Sequence, residues 1–538
     1  MPRLRAKGSG PSGAPRRDHP REVDPPVAVL DIGASAVRLV VAEVRAGEPP
    51  RVLDEASRGV QLGKDTFARG SLGPATVNAT LKALEGFRTV MDSYGVVRYR
   101  AVATSAVREA ANRDHFLDRV RLRTGIDVEI IDGPEENRLT YLAVCQRLRG
   151  HEALTTGSTL LVEVGGGSGD ISLLRTGEPT LAGTYALGSI RTLQGFASWH
   201  GGHEQRIRLL RRHIHNVVDD IRREMPLGGA RHLIALGGDI RFAARQLTDD
   251  KAPDEPVRSI PRPRFVAFCD SIASQDVDQV VEHFRLTQVE AETLLPALLA
   301  YRELLLSTGA RKIIVPDATL RLGLLLDLSG SEEGLGIEVF RKQVLASAAA
   351  FGEKYRYDAH HARHVAQLAV RLFDELGREH GLGDRERLLL EVAAMLHDIG
   401  IYVSQRAHHK HSAYLLLASE IFGLSREDLA IVSNVARYHR RATPQKSHPS
   451  YALLDSTTRV LVAKLAAILR LANALDADHE RRVVDVHLIA DGDAWGLEIV
   501  ANGDVTMERL AALERSDLFT EVFGHKLALR EGVGVPTG

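Results

Sequence analysis

The chain is poor in cysteine, in net charge and in long apolar runs, and each shortage excludes a class of protein. Only two of its 538 residues are cysteine, Cys145 and Cys269, too few for a disulfide framework, so a reducing cytoplasm fits the composition. No uncharged apolar run reaches the ~18 residues of a membrane span. Lys and Arg number 69 against 70 for Asp and Glu, so the overall charge attracts neither nucleic acid nor an anionic membrane.

The length indicates several domains, because a single hydrophobic core does not grow to this size. Residues 1–24 combine Arg with Pro and Gly, and no apolar stretch follows the basic residues as it would in a signal peptide. This composition predicts a disordered tail, with a nucleic-acid-binding arm as the alternative.

Strand and helix patterns alternate from Val27 to about residue 330. "VAVLDIGASAVRLVVAEV" predicts two strands joined by a short turn, and the same strand–turn–strand pattern recurs in "TLLVEVGGGSGDISLL". Two related α/β domains with a cleft between them are therefore expected, over residues 25–155 and 156–330, with 315–330 returning to the first domain.

Beyond a linker near residues 330–340 the pattern becomes helical. Apolar residues recur at spacings of three and four, which predicts an all-α domain over 338–480. Alternation around an Asp-Gly turn, followed by one helical stretch, predicts a small α+β domain over 481–530.

Three glycine-containing turns occupy equivalent places in the two α/β halves. A glycine turn lets backbone N–H groups approach phosphate oxygens without interference from a Cβ atom. One such turn alone is as well explained by a tight connection, but three predict a phosphate cleft. Their candidate ligand-binding residues are Asp31, Gly33, Ser35, Gly165, Gly166, Gly167, Ser168, Gly237 and Gly238. The arrangement resembles that of the actin, sugar-kinase and heat-shock ATPase superfamily.

Longer motifs narrow the resemblance. Four stretches of the α/β part are "DIGASA", "ATSAVREAANRDHFL", "DGPEENRL" and "EVGGGSGDI", and three stretches of the helical part are "MLHDIG", "HHKHSAYLL" and "RYHR". These motifs resemble those of the exopolyphosphatase and guanosine pentaphosphate phosphohydrolase (Ppx/GppA) family in its long form. The resemblance implies actin-like tandem domains, then an HD-like helical domain and an α+β tail. It also implies a cytoplasmic, homodimeric hydrolase that releases terminal phosphate from polyphosphate or guanosine pentaphosphate, with Mg²⁺, or Mn²⁺, as cofactor.

The resemblance also assigns roles to individual residues. The catalytic base falls on Glu136, whose alternative is a surface Glu that favours the start of a helix. The metal carboxylates fall on Glu163 and Asp170, at the two ends of the glycine loop. Arg108, with the hydroxyls of Thr104 and Ser105, is expected to contact phosphate; a surface salt bridge is the alternative for Arg108.

The sequence departs from the family pattern at the proposed metal site. The family has Asp before and Glu after the loop, whereas here the two acids are exchanged. Ser35 replaces an Asn and Gly169 replaces a Thr, which removes two side-chain donors. These changes predict an impaired or re-targeted enzyme that the family's acid order would improve, with a polyphosphate- or alarmone-binding regulator as the rival.

The helical domain carries the histidines of an HD-type metal site. HD phosphohydrolases bind metal through His, a His-Asp pair and a final Asp, and the candidates here are His361, His397, Asp398, His411 and His439. The final Asp is replaced by Asn473, which removes an anionic ligand and predicts weak metal binding or none. Asp476, one turn on, is a conceivable substitute ligand. An HD enzyme whose α/β half senses nucleotide is therefore a further alternative.

Overall fold

The computed structural model describes residues 25–45, 48–196, 201–248, 255–330, 335–491 and 494–530. The tail predicted over residues 1–24 lies outside this range. Across the described residues, no helix is both long and apolar enough to cross a bilayer.

The first α/β unit is built on a five-stranded sheet. Its elements are β1 (Val27–Ile32), β2 (Ala36–Glu43), β3 (Arg51–Gly59), α1 (Leu62–Arg69), α2 (Pro74–Ser93), β4 (Arg98–Ala103), α3 (Ser105–Arg108), α4 (Arg113–Thr124), β5 (Glu129–Ile130), α5 (Gly133–Arg147) and α6 (Glu152–Thr155). The strand order is β3-β2-β1-β4-β5. β1 is buried along its whole length, as expected of a strand covered on both faces, and the exposed β3 forms the edge.

The second unit repeats this plan on a six-stranded sheet. It comprises β6 (Ser158–Val164), β7 (Gly169–Arg175), β8 (Glu178–Tyr185), α7 (Ser189–Gly195), α8 (His203–Glu224), β9 (His232–Leu236), α9 (Gly238–Leu247), β10 (Val257–Pro261), α10 (Arg262–Ala273), α11 (Val277–Phe284), α12 (Gln288–Leu306) and β11 (Lys312–Pro316). From β8 through β7, β6 and β9 to β11, strand order and direction match those from β3 to β5. The tandem α/β architecture predicted from the repeated pattern is therefore present.

Helix α13 (Leu320–Gly330) returns to the first sheet. Leu320 and Leu324 share a core cluster with Val27 and Val29 of β1. At Gly323 the helix backbone approaches the Leu139 carbonyl of α5 so closely that a Cβ atom would overlap it. The helix that follows the last strand of the second unit therefore packs against the first unit.

Helices α14 to α23 and a three-stranded sheet form the rest of the described chain. They are α14 (Leu335–Lys354), α15 (Ala359–Glu375), α16 (Gly377–His380), α17 (Asp384–Leu396), α18 (His408–Leu417), α19 (Arg426–Arg437), α20 (Pro449–Ala452), α21 (Ser456–Ala474), β12 (Val483–Asp491), β13 (Ala494–Ala501), α22 (Thr506–Glu514), α23 (Asp517–Phe523) and β14 (Lys526–Arg530). The single helix predicted near the end is divided into α22 and α23, and β14 pairs in parallel with β13. The helices and this small sheet share one hydrophobic core.

Residues 420–426, which lead from α18 into the first residue of α19, dock on the α/β units. Phe422 is buried in a cluster with Tyr141 of α5, and the two rings meet edge to face with centroids 5.6 Å apart. The N–H of Arg426 donates to Asp132, the residue that caps α5, at 3.0 Å. The helical domain therefore contacts the helix that presents Glu136.

Candidate active site

Glu136 lies in the first turn of α5 with its side chain turned inward. The Asp132 carboxylate caps the helix by accepting from the Glu135 N–H at 3.1 Å. Glu136 Oε2 is buried and has no hydrogen-bond partner among the described residues, and Arg108 Nη1 lies 3.8 Å away. Burial raises the pKa of Glu136 well above its usual range, Asp170 adds to the rise, and Arg108 opposes it. A surface Glu would have none of these properties.

The exchanged acids Glu163 and Asp170 face one another across β6 and β7. They are direct partners in the register of this antiparallel pair, so both side chains project from the same face of the sheet. Exchanging two residues at directly opposed positions keeps both carboxylates on that face. Gly169, beside them, packs against Leu187, whose Cβ would lie 2.8 Å from an added Cβ atom. A Thr at this position would therefore require Leu187 to move.

Each of these carboxylates has one hydroxyl donor. Thr140 donates to Glu163 at 3.1 Å, and Thr184 donates to Asp170 at 2.8 Å. Burial raises the pKa of Glu163 and raises that of Asp170 to about 7, while the two hydroxyl groups oppose these rises. The Thr184 N–H donates in turn to Glu420 of the helical domain at 2.9 Å. Two directly opposed carboxylates, one buried and one half-buried, are suited to binding a cation.

Asp31 holds two arginines at the cleft. Its carboxylate lies 3.5 Å from Arg38 Nη1 and 3.3 Å from Arg321 Nη1. A carboxylate only accepts hydrogen bonds, so the two guanidinium groups, rather than Asp31 itself, can reach phosphate oxygens. In the same turn, the Gly33 N–H donates to the Ala36 carbonyl at 3.1 Å and is occupied. Ser35 is half-buried beside it.

The central glycine turn offers two backbone donors. Gly165 closes the turn by donating to the Ser168 carbonyl at 2.9 Å, so its N–H is engaged. The carbonyl of Gly167 accepts from Arg191 Nε at 2.6 Å. Within the described ranges no acceptor is found for the N–H groups of Gly166 and Gly167. These two groups are the ones available to a phosphate oxygen.

Two helix starts carry the remaining predicted phosphate contacts. Thr104 and Ser105 are buried at the start of α3, where Ser105 lies against Gly167 with no room for a Cβ between them. Gly237 caps α9 with φ 116°, and an added Cβ would lie 3.0 Å from the Val164 carbonyl oxygen. Gly238 follows as the first residue of α9, whose positive N-terminus favours an anion.

In the helical domain, the predicted histidines meet around Asp398. Asp398 Oδ1 lies 3.1 Å from His408 Nε2 and 3.4 Å from His439 Nε2, and Oδ2 lies 3.6 Å from His397 Nε2. The His361 ring centroid is 5.3 Å from that of His397. His408 was not among the candidates in the sequence.

Of the remaining residues considered in this domain, His411 and Asn473 lie outside that arrangement, whereas Asp476 contacts it. His411 is half-buried one turn beyond His408 on α18, so His408 takes the place predicted for it. Asn473 is half-buried on α21, while Asp476 is buried and its Oδ2 lies 2.7 Å from His361 Nδ1. Asp476 thus joins the cluster through His361.

Two related sheets that bring carboxylates, arginines and glycine turns to one cleft define a protein of the actin-like ATPase fold. Among solved structures, an exopolyphosphatase from Cytophaga hutchinsonii shares the fold, with a TM-score of 0.52 at 20% identity over 56% of this chain and 97% of that one. The chain belongs to the Ppx/GppA phosphatase family: the family model matches residues 40–332, and the model of the family's domain III matches residues 345–522. The family predicted from the motifs is confirmed.

Relatives within the family carry two names. The guanosine-5'-triphosphate,3'-diphosphate pyrophosphatase of Vibrio parahaemolyticus serotype O3:K6 is 23% identical over 500 residues, 89% of this chain and 92% of that protein. Exopolyphosphatase 1 of Mycobacterium bovis is 33% identical over 165 residues, 31% of this chain and 47% of that protein.

Proposed function

We propose that the chain is a phosphohydrolase that cleaves the terminal phosphoanhydride bond of polyphosphate or of guanosine pentaphosphate, with Glu136 as general base. The observation that carries the proposal is the Glu136 carboxyl, whose Oε2 is buried without a partner among the described residues and is faced by Arg108. A carboxyl with a raised pKa is a better proton acceptor for an attacking water. The names of the relatives supply the two substrates.

Glu163 and Asp170 would hold Mg²⁺, or Mn²⁺, when substrate is bound. Mg²⁺ prefers hard oxygen ligands and keeps several waters, and the half-buried Glu163 with the buried Asp170 fits that preference. The bound ion would neutralise charge on the phosphoryl oxygens. Arg38, Arg321 and the N–H groups of Gly166 and Gly167 would orient the same oxygens, and Glu136 would accept the proton of the water.

The test compares two adjacent glutamates. Glu136→Gln keeps the shape of the side chain but removes the proton acceptor, so phosphate release should fall by about 10²–10⁴-fold while substrate still binds. Glu135→Gln is the matched control, because Glu135 pairs with Arg138 at 2.7 Å in the same helical turn. Phosphate release is measured from long-chain polyphosphate and guanosine pentaphosphate under matched Mg²⁺. A Glu136→Gln variant as fast as the parent refutes the assignment, and a parent inactive on both substrates favours the regulator.

A further inference from the structure

Four histidines of the helical domain are buried around one carboxylate. His361, His397, His408 and His439 are each at most 2% exposed, and they come from different helices or helix ends. Histidines are seldom buried without a partner for both ring nitrogens. His380 shows the ordinary case in the same domain, since its Nε2 contacts the Phe373 carbonyl at 2.8 Å and its Nδ1 accepts from the Leu382 N–H at 2.9 Å.

In each of the four rings, Nδ1 faces a group that only accepts hydrogen bonds. The partners are Asp476 Oδ2 for His361 at 2.7 Å, the Ala394 carbonyl for His397 at 2.7 Å, the Gln405 carbonyl for His408 at 3.2 Å and the Ala436 carbonyl for His439 at 2.6 Å. Each Nδ1 must therefore carry the hydrogen. A neutral imidazole then bears a lone pair on Nε2, which is the nitrogen that can bind a metal.

The four Nε2 atoms lie near one another and near the Asp398 carboxylate, and Arg440 is the one donor among their contacts in the described part of the chain. Those of His361 and His397 are buried and have no hydrogen-bond partner in the described part of the chain. Those of His408 and His439 lie 3.4 Å from each other and face the Asp398 carboxylate, which is itself only an acceptor. Arg440 Nη1, 3.4 Å away, can donate to His408 Nε2, but the lone pairs of the other three rings face one another and a carboxylate, and these repel unless a cation lies between them.

We propose that His397, Asp398, His408 and His439 bind a divalent transition-metal ion. One ligand atom from each of His397, Asp398 and His439 lies within 4.8 Å of the other two. A second group with this property consists of His361, Asp398 and His479, so the two groups share the Asp398 carboxylate. Imidazole with one carboxylate suits iron, manganese, cobalt or zinc. Asn473 alone predicts a weak site, but the buried Asp476 carboxylate, which contacts His361 Nδ1 at 2.7 Å, brings a second negative charge to the cluster.

The metal site adjoins a cationic cavity that fits a phosphate-bearing ligand. A cavity of about 440 Å³ is lined by His408 together with Arg406, Lys410, Arg437, Arg440 and Arg441. Arg440 Nη1 lies 3.4 Å from His408 Nε2, so the cavity reaches the metal ligands. Buried Arg470 supports its wall by donating to the carbonyls of Tyr438 at 3.3 Å and Arg441 at 3.0 Å. Several guanidinium groups beside a metal ion are the chemistry that binds phosphate. This second phosphate site lies on elements other than those that carry Glu136.

Metal content tests the first part of the proposal. The full chain, purified without chelator, should contain about one equivalent or more of transition metal, and His397→Ala and the isosteric Asp398→Asn should each reduce this at least about tenfold. His380→Ala, which removes a buried histidine outside the cluster, should keep it. Circular dichroism verifies folding. Less than about a tenth of an equivalent, both as purified and after incubation with Fe²⁺, Mn²⁺, Co²⁺ or Zn²⁺, overturns the metal site.

Cobalt spectroscopy tests the ligand. Co²⁺ bound by imidazoles gives visible absorption that the parent should show and Asp398→Asn should lack. Addition of inorganic phosphate should shift this band, and Arg440→Ala should weaken phosphate binding about tenfold, as expected when one charge-assisted contact is lost. A cobalt band that does not respond to phosphate or pyrophosphate refutes the ligand site while leaving the metal site in place.

Discussion

Thr184 is expected to control the affinity of the cleft for Mg²⁺. Its hydroxyl donates to Asp170 at 2.8 Å from the directly opposed position on β8. Thr184→Val removes the hydroxyl but keeps the branched shape, and it leaves the N–H that donates to Glu420. A hydrogen bond to a charged group contributes about 1.5–3 kcal/mol, so losing it should weaken cation binding by about 10–100-fold.

The assay is phosphate release as a function of Mg²⁺ concentration at fixed pH and saturating substrate. We expect the half-activating Mg²⁺ concentration to rise by about 10–100-fold in Thr184→Val, with the rate at saturating Mg²⁺ nearly unchanged. Thr180→Val is the matched control on the same strand, since the Thr180 hydroxyl donates to the Leu173 carbonyl at 2.8 Å. Thr184→Ser should restore the parent value. If Thr184→Val lowers only thermal stability, Asp170 is not a metal ligand.

Two further predictions concern the carboxylates of the cleft, first Glu136 and then the pair Glu163 and Asp170. Because a general base acts only when ionised and burial raises the pKa of Glu136, kcat/KM should still be rising at pH values where an ordinary Glu is already fully ionised. Arg108 opposes this rise in pKa, so Arg108→Gln should move the rise in kcat/KM to higher pH. A plateau reached below pH ~5, near the usual pKa of Glu, contradicts this. The family pattern alone leads one to expect that restoring its acid order, with Glu163→Asp and Asp170→Glu, improves the enzyme, but the geometry of the site reverses this expectation. The double change should weaken Mg²⁺ activation about tenfold or more, because the shortened side chain at 163 withdraws from Thr140, now 3.1 Å away. Stronger activation would instead show that the exchange itself impairs the enzyme.

The sequence contains the local parts of the site but not their long-range partners. The glycine turns and the helix start at Glu136 are short motifs, so pattern alone finds them. Arg321 meets Asp31 from 290 residues away, and no local periodicity reports such a contact. Thr140 and Thr184 were missed for a related reason: a threonine on a helix or strand has no feature in the sequence that distinguishes a hydroxyl aimed at a carboxylate from one aimed at solvent.

The histidines of the helical domain show the same limit at shorter range. Four histidines lie within "HHKH" and the nearby "RYHR" motif, and spacing cannot determine which ring turns inward. Position in the fold determines it, because His408 starts α18 beside Asp398, whereas His411 lies one turn further on. Likewise, Asn473 indicates a lost ligand only if the carboxylate must come from that position, and Asp476 supplies one to His361 instead.

The helical domain contacts residues that hold two of the cleft's functional groups in place. Glu420 accepts from the backbone of Thr184, whose hydroxyl holds Asp170, and the Arg426 N–H donates to Asp132, which caps the helix of Glu136. Both contacts come from the one segment that Phe422 anchors against Tyr141. One intervening residue, Thr184, thus links this segment to Asp170, and one intervening residue, Asp132, links it to the helix of Glu136. A shift of that segment would therefore move both groups together.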